Sequence, residues 1–164
     1  MRDLNIKKYT FVIFILTMLV ALILFSYTMY LWIGIAGALR KVEDNIEITG
    51  IHVSNYVNGN ASVSINVSVY NPTEFSLRIS YMAIKEIQVN GRHIRLYSGS
   101  HQFPNTFKCL NLGLQPFSGE LISFNFSLDE NILNSGNWTL LLRVHINTIF
   151  NEENPLRLDV LCVY

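Results

Sequence analysis

The sequence predicts an all-β fold, an immunoglobulin-like antiparallel β-sandwich preceded by one N-terminal transmembrane α-helix. Three observations support this prediction: a long uncharged apolar stretch near the start, several short runs in which apolar and polar residues alternate, and turn residues between these runs. The chain has 164 residues, is 50% apolar and carries no net charge. This balance argues against a nucleic-acid partner, which would favour a basic domain.

The transmembrane helix is predicted over residues 9–39, in which no side chain carries a formal charge. A helix needs about 20 apolar residues to cross the hydrocarbon core of a bilayer, and this stretch is longer. Basic residues are slightly more frequent before the helix than after it, which favours a cytoplasmic N-terminus over residues 1–8. We therefore expect a single-pass protein of the cell membrane, with a linker at 40–45 and an extracytoplasmic domain at 46–164.

The apolar stretch has three other possible interpretations. A cleavable secretory signal has a shorter apolar core, although the small residues Ala36-Gly37-Ala38 resemble a cleavage site. A core helix of a soluble protein would need a larger protein around it. A pilin-like subunit, with the helix in a filament core and the sandwich outside, has a similar layout, but Tyr9-Thr10 after Lys7-Lys8 matches its processing signal poorly.

Alternation predicts the strands of the outer domain. The clearest example is residues 61–70, where Val63, Ile65 and Val67 point to one face and the intervening serines and Asn66 to the other. Further runs of this kind are LISFNFSL at 121–128, WTLLLRVHINTI at 138–149 and LRLDVLCV at 156–163. Seven to nine such strands without alternating helices predict an antiparallel sandwich.

Turn residues separate these runs. Asn58-Gly59 and Asn90-Gly91 are typical of two-residue hairpins, because Asn-Gly readily adopts positive φ. Asn71 and Pro72 end the first clear strand, since proline cannot donate to a sheet ladder and the asparagine side chain closes a local turn. Residues 129–136 are predicted to form one or two helical turns, and residues 151–155 a further turn.

This order of elements resembles the late-embryogenesis-abundant, water-stress and hypersensitive-response β-sandwich family. The residues that support the resemblance are VSVYNPTEFSLRISYMAIKEIQVNGRHI, LISFNFSLDENIL and WTLLLRVHINTIF, and it covers roughly residues 46–162. It implies an immunoglobulin-like sandwich without catalytic residues, often held at a membrane by one helix, with a protective or interactive role. Asn71, Pro72 and Gly91 match the motif.

Two kinds of covalent site are predicted in the outer domain. The sequence contains four Asn-x-Ser/Thr acceptors for N-glycosylation, at Asn60, Asn66, Asn125 and Asn137. Cys109 and Cys162 lie in the part assigned to an oxidising compartment, where they either form a disulfide or remain two buried thiols.

No catalytic or cofactor site is expected. His52, His93, His101 and His145 are scattered without the spacing of a metal site, no serine lies in a nucleophile-elbow pattern, and glycine-rich phosphate loops are absent. The small basic patch at Arg92, His93 and Arg95 is interpreted as solvated charge. The sequence thus predicts a non-enzymatic structural or protein-interaction module, such as an accessory subunit of a membrane complex or an envelope component. Its partners would be membrane lipid and other membrane subunits, with a homo-oligomer or filament also open.

Overall fold

A computed structural model describes residues 2–57, 59–89, 91–98, 101–102, 105–129, 137–148 and 155–164. The chain divides into two compact units, Met1–Gly37 and Ala38–Tyr164. The first unit is helical, and the second contains the β-strands. The predicted fold class, a β-sandwich preceded by a long apolar helix, is confirmed.

Helix α1 runs over Arg2–Glu43 and is thus longer than the predicted span. Residues 40–43, predicted as linker, continue the helix because no proline or glycine interrupts them and because Arg40 and Lys41 suit the negative end of the helix dipole. Asn45 then closes the end, since its side-chain amide donates to the Lys41 carbonyl over 2.8 Å. The segment Tyr9–Glu43 is long and apolar enough to cross a membrane, a criterion that a secretory signal also meets.

The strands form two main sheets. The three-stranded sheet has the order β1 (Ile46–Val57), β2 (Asn60–Asn71) and β8 (Ser118–Asp129). The five-stranded sheet has the order β10 (Leu156–Val163), β9 (Trp138–Asn147), β3 (Leu77–Val89) and β4 (Arg92–Arg95), and β7 (Phe107–Leu114) also pairs with β3. Two short strands, β5 (Tyr97–Ser98) and β6 (His101–Gln102), pair with each other.

The core lies between the inner faces of the two main sheets. In β2 the predicted inner residues Val63, Ile65 and Val67 are 0% exposed, as expected for alternate side chains that face a second layer. The opposite sheet contributes a matching apolar row along β9, in which Leu140, Leu142, Val144 and Ile146 are also fully buried.

The turns joining the strands contain the predicted turn residues. Gly59 has φ 79° between β1 and β2, and Gly91 has φ 78° between β3 and β4, a conformation that glycine adopts without steric cost. The preceding residues Asn58 and Asn90 lie outside the described part of the chain. So do residues 130–136 and 151–154, and with them most of the predicted helical turns and of the last predicted turn.

Asn71 stabilises the connection through which the chain passes from β2 in one sheet to β3 in the other. Its side chain is 0% exposed, and its amide nitrogen lies 2.8 Å from the carbonyl oxygen of Phe75 and 3.3 and 3.1 Å from those of Leu114 and Gln115. Its carbonyl oxygen accepts from the backbone N–H and hydroxyl of Thr73 over 3.2 and 2.7 Å. Asn71 thus links the end of β2, the Pro72 link and the end of β7, which lets the chain pass from one sheet to the other.

Of the two alternatives left open for the cysteines, the structure has free thiols and not the candidate disulfide, although only one of the thiols is buried. Cys109 and Cys162 are both free thiols, the first exposed and the second buried. Cys109 lies on β7 and Cys162 on β10, with β3 and β9 between them. Three interstrand steps of about 4.8 Å separate β7 from β10 by about 14 Å, and Cys162 also lies five residues along β10 from Arg157, the residue in line with Cys109. A disulfide needs Cα atoms within about 7 Å.

Candidate functional site

The outer face of the five-stranded sheet is the candidate site, and we call it the basic face. Every Lys and Arg after Lys41 lies in a strand of this sheet, whereas the strands of the three-stranded sheet contain none. These residues are Arg78, Lys85, Arg92, Arg95, Lys108, Arg143 and Arg157. Two of these do not belong to the outer face. Lys108 points to the inner side, with its ammonium 5.9 Å from the centre of the Phe124 ring, and Arg92 is directly opposite the fully buried Val89 in the β3–β4 ladder, so it shares the inner row. Acidic residues in these strands are few, Glu86 and Asp159.

Asp159 is the centre of the charge arrangement on the basic face. It is directly opposite Arg143 in the β9–β10 ladder, and the guanidinium donates to both carboxylate oxygens, Nε over 2.8 Å and Nη2 over 3.1 Å. Lys85 Nζ and Arg157 Nη2 approach the same carboxylate at 3.3 and 3.5 Å. One carboxylate therefore faces three cations, so the cluster keeps an excess of positive charge.

A β-bulge on β3 brings Lys85 into this cluster. Ile84 pairs with Leu142 and Glu86 with Leu141, which leaves Lys85 as the extra residue on its strand. Bulges change the direction of side chains in this way. The ammonium group consequently reaches across β9 to the carboxylate on β10.

An aromatic row lies beside the charges. The rings of Tyr81 and His145 have centroids 4.9 Å apart, and the Tyr81 and Phe107 rings are stacked at 6.3 Å. His145 Nε2 is buried and has no hydrogen-bond partner among the described residues. Burial lowers the pKa of His145, and the positive charge of Arg143 lowers it further against the opposing effect of Asp159.

The cations also set the protonation of Asp159. Partial burial by itself would raise the pKa of this carboxyl, but the hydrogen bonds and charges of Arg143 and Lys85 outweigh burial and lower the pKa below its usual value. At neutral pH the side chain is therefore an anion fixed among cations. This internal counterion orients Arg143, while the guanidinium of Arg157, 54% exposed, makes only the longest of the three contacts, 3.5 Å.

A shallow hollow lies on the same face, beyond the charged cluster. It has a volume of about 110 Å³ and is lined by Glu86, Gln88, His93, Thr139, Leu141 and Leu161. His93 Nδ1 lies 2.5 Å from Glu86 Oε1 at its wall. Sites for small molecules usually have volumes of about 300–1,000 Å³, so the hollow is smaller than such sites.

The other predicted sites are spread over the molecule. Asn66 and Asn125 lie on the outer face of the three-stranded sheet. Asn66 is half-buried, and its side-chain oxygen accepts a hydrogen bond from the Ser123 hydroxyl over 2.7 Å, whereas Asn125 is exposed. Asn60 and Asn137 are exposed at strand ends. Groups of three or more His, Cys, Asp or Glu able to hold a metal ion do not occur in the described part of the chain.

Sequence reasoning found part of the basic face. The sequence indicated a small basic patch at Arg92, His93 and Arg95, but it did not connect Lys85, Arg143 and Asp159. These residues come from three strands, and only the pairing of β3, β9 and β10 brings them together. The sequence does contain one indication of this face, because all Lys and Arg residues of the outer domain lie in a few segments.

Comparisons with known proteins support no family. Neither a protein-family model nor a curated protein matches this chain, so the resemblance to late-embryogenesis-abundant proteins stays a prediction. Among solved structures, a protein from Archaeoglobus fulgidus is 11% identical with a TM-score of 0.44, over 72% of this chain and 94% of that one. The PapD-like domain 7 of human CEP192 is 12% identical with a TM-score of 0.38, over 73% and 82% of the two chains. At these distances the likenesses carry no functional argument.

Proposed function

We propose that this chain is a single-pass membrane protein whose extracytoplasmic sandwich binds an acidic surface of another membrane-associated protein through the basic face. The observation that supports this proposal is the restriction of the outer domain's Lys and Arg residues to one sheet, although the whole chain is neutral. Complementary charge steers association and sets orientation. The hollow beside the charges would receive one side chain of the partner.

The role proposed is that of a non-enzymatic accessory subunit or envelope component. The apolar helix would hold the sandwich at the membrane and pack against lipid or the helices of other subunits. The family resemblance found in the sequence agrees with such a tethered binding module.

Variants with equal charge change test the basic face. Arg95→Gln with Arg157→Gln removes two positive charges from exposed positions on this face, and Ser62→Glu with Ser64→Glu adds two negative charges to the opposite sheet. Both double variants shift the net charge equally. Full-length protein would be extracted in mild detergent, and the proteins that co-purify with it at low and at high salt would be quantified by mass spectrometry.

We expect the arginine variant to lose its acidic partner at least tenfold, and the wild-type complex to weaken at high salt. The serine variant should keep the partner. If the chain travels alone, or if both variants lose the partner equally, the proposed function is wrong.

Cys109 provides a direct test of the membrane orientation. It is exposed, whereas Cys162 is buried, so a membrane-impermeant maleimide added to intact cells should label wild-type protein but not Cys109→Ser. In the Cys109→Ser background, Asn5→Cys should be labelled only after the cells are opened. The reverse pattern would place the sandwich in the cytoplasm and refute the proposal.

A further inference from the structure

The free edge of β8 differs from the other sheet edges of the sandwich. Within the described residues β8 pairs only with β2, through twelve consecutive residues without a bulge, from Asn60 opposite Asp129 to Asn71 opposite Ser118. A long and regular edge exposes backbone donors and acceptors that can pair with another strand.

The other edges of the two main sheets carry features that hinder such pairing. β1 has two bulges and the charged Glu47, and β10 carries Arg157 and Asp159. β4 is four residues long with an arginine at each end, and β7 pairs with β3 through a shifted register and carries Lys108. Charges, bulges and short length are the usual ways in which proteins protect edges.

β8 lacks these protective features along its centre. Residues 121–128, LISFNFSL, contain no charge and no proline. Leu121, on the outer face, is 61% exposed. An uncharged edge of this kind does not select a charged strand, and it can accept an identical one.

We propose that two copies of this chain pair through their β8 strands, antiparallel and around a two-fold axis at Phe124. In this register Leu121 faces Ser127 of the second copy, and Ser123 faces Asn125 of the second copy. The acidic residues Glu120 and Asp129 face Leu128 and Gly119, so like charges are not opposed. Like charges directly opposite each other would destabilise a sheet.

The side chains on the inner face of the two paired β8 strands are also compatible with this register. Ile122 would face Phe126, and Phe124 would face its own copy; all three are already 5% exposed or less. Pairing therefore satisfies backbone groups without burying a polar side chain. An isologous contact of this kind closes into a dimer and does not propagate into a filament. It requires neither the basic face nor the proposed membrane partner.

Cysteine cross-linking tests this register. In a Cys109→Ser background, full-length Leu121→Cys and Ser127→Cys proteins would be made without glycosylation, mixed in detergent and oxidised. Directly opposed residues have Cα atoms about 4.5–5.5 Å apart, within the range for a disulfide. Each variant alone places its cysteines about 20 Å apart along the paired strands. We expect a disulfide-linked dimer from the mixture and none from either variant alone.

Two control variants use the neighbouring strand. Ser68 is the β2 partner of Leu121, so Ser68→Cys mixed with Ser127→Cys should give no cross-link. Asn125→Lys places a charge at the centre of the edge and should reduce cross-linking at least tenfold, whereas Ser64→Lys, in the same row on β2, should not. Burial of Cys162 against thiol reagents would verify that each variant is folded.

The proposal is overturned if the mixture gives no dimer, if single variants cross-link as well as the mixture, or if Ser64→Lys and Asn125→Lys act alike. Loss of the membrane partner in the basic-face variants would leave this cross-link unchanged, so the two proposals fail separately.

Discussion

Replacing Asn71 by alanine should destabilise the sandwich more than any exposed substitution, because its side chain satisfies polar groups of two other segments, residues 73–75 and 114–115. The two amide hydrogens are shared among the carbonyl groups of Phe75, Leu114 and Gln115, and the side-chain oxygen accepts twice from Thr73. The side chain is fully buried, so water cannot replace these bonds.

The magnitude follows from the number of bonds. A hydrogen bond contributes about 1 kcal/mol net, and a buried group left without a partner costs about 1–3 kcal/mol. Two amide hydrogens and two accepted bonds therefore give an expected loss of about 3–4 kcal/mol. A domain of this size would melt about 10 °C lower.

Urea unfolding of the full-length protein in detergent measures this loss. In a Trp32→Phe background the fluorescence reports on Trp138, which is 6% exposed in the sandwich. Asn60→Ala, at an exposed asparagine away from the β8 edge, serves as control and should stay within about 0.5 kcal/mol of the parent. Asn71→Asp keeps the shape but removes both donors, and should lose at least as much stability as alanine at neutral pH.

The reasoning would be refuted if Asn71→Ala unfolds within about 0.5 kcal/mol of the control. A much smaller loss for the aspartate variant than for alanine would show that packing, and not the donated hydrogen bonds, holds the corner.

The remaining predictions concern groups that titrate or react. Burial raises the pKa of Cys162 to about 11, so a thiol reagent at pH 8 should label only Cys109 in the native protein and both cysteines in urea. Burial lowers the pKa of His145 in the folded protein below its ordinary value of 6.5, so the unfolded chain binds the proton more readily. The free energy of unfolding should therefore fall as the pH drops below about 6.5. In urea titrations between pH 7 and 5, His145→Gln should lose less stability than the wild-type protein. The pKa of Asp159 is also lowered, so its contribution is present above about pH 4 and lost as the pH falls through the folded value. Asp159→Asn should lower the free energy of unfolding by at most about 1 kcal/mol at pH 7, because the carboxylate is partly exposed. The variant should also lose less stability than wild type when the pH falls below about 4. If both proteins lose the same amount, the cation cluster does not stabilise the fold through Asp159.

The strands that alternate most strictly were also predicted most accurately from sequence. β2 and β9 have buried residues at every second position, so the pattern identified both the strand and its inner face. β7 was missed, since its residues FKCLNLGL follow no consistent apolar alternation and only Leu114 is fully buried. A strand at the margin of a sheet buries less side-chain surface and so gives a weaker periodic signal.

By itself, the sequence determined the long apolar helix, the alternating strands and the turns at Asn71-Pro72 and Gly91. Each of these depends on neighbours in the chain, because periodicity and backbone preference are local properties. Only the tertiary structure decided which strands became neighbours. It placed Cys109 and Cys162 on strands at opposite edges of one sheet, brought Lys85 to Asp159 across β9, and left β8 as an edge strand. Alternation specifies the face that a side chain occupies, whereas strand order and register depend on the packing of the whole sandwich.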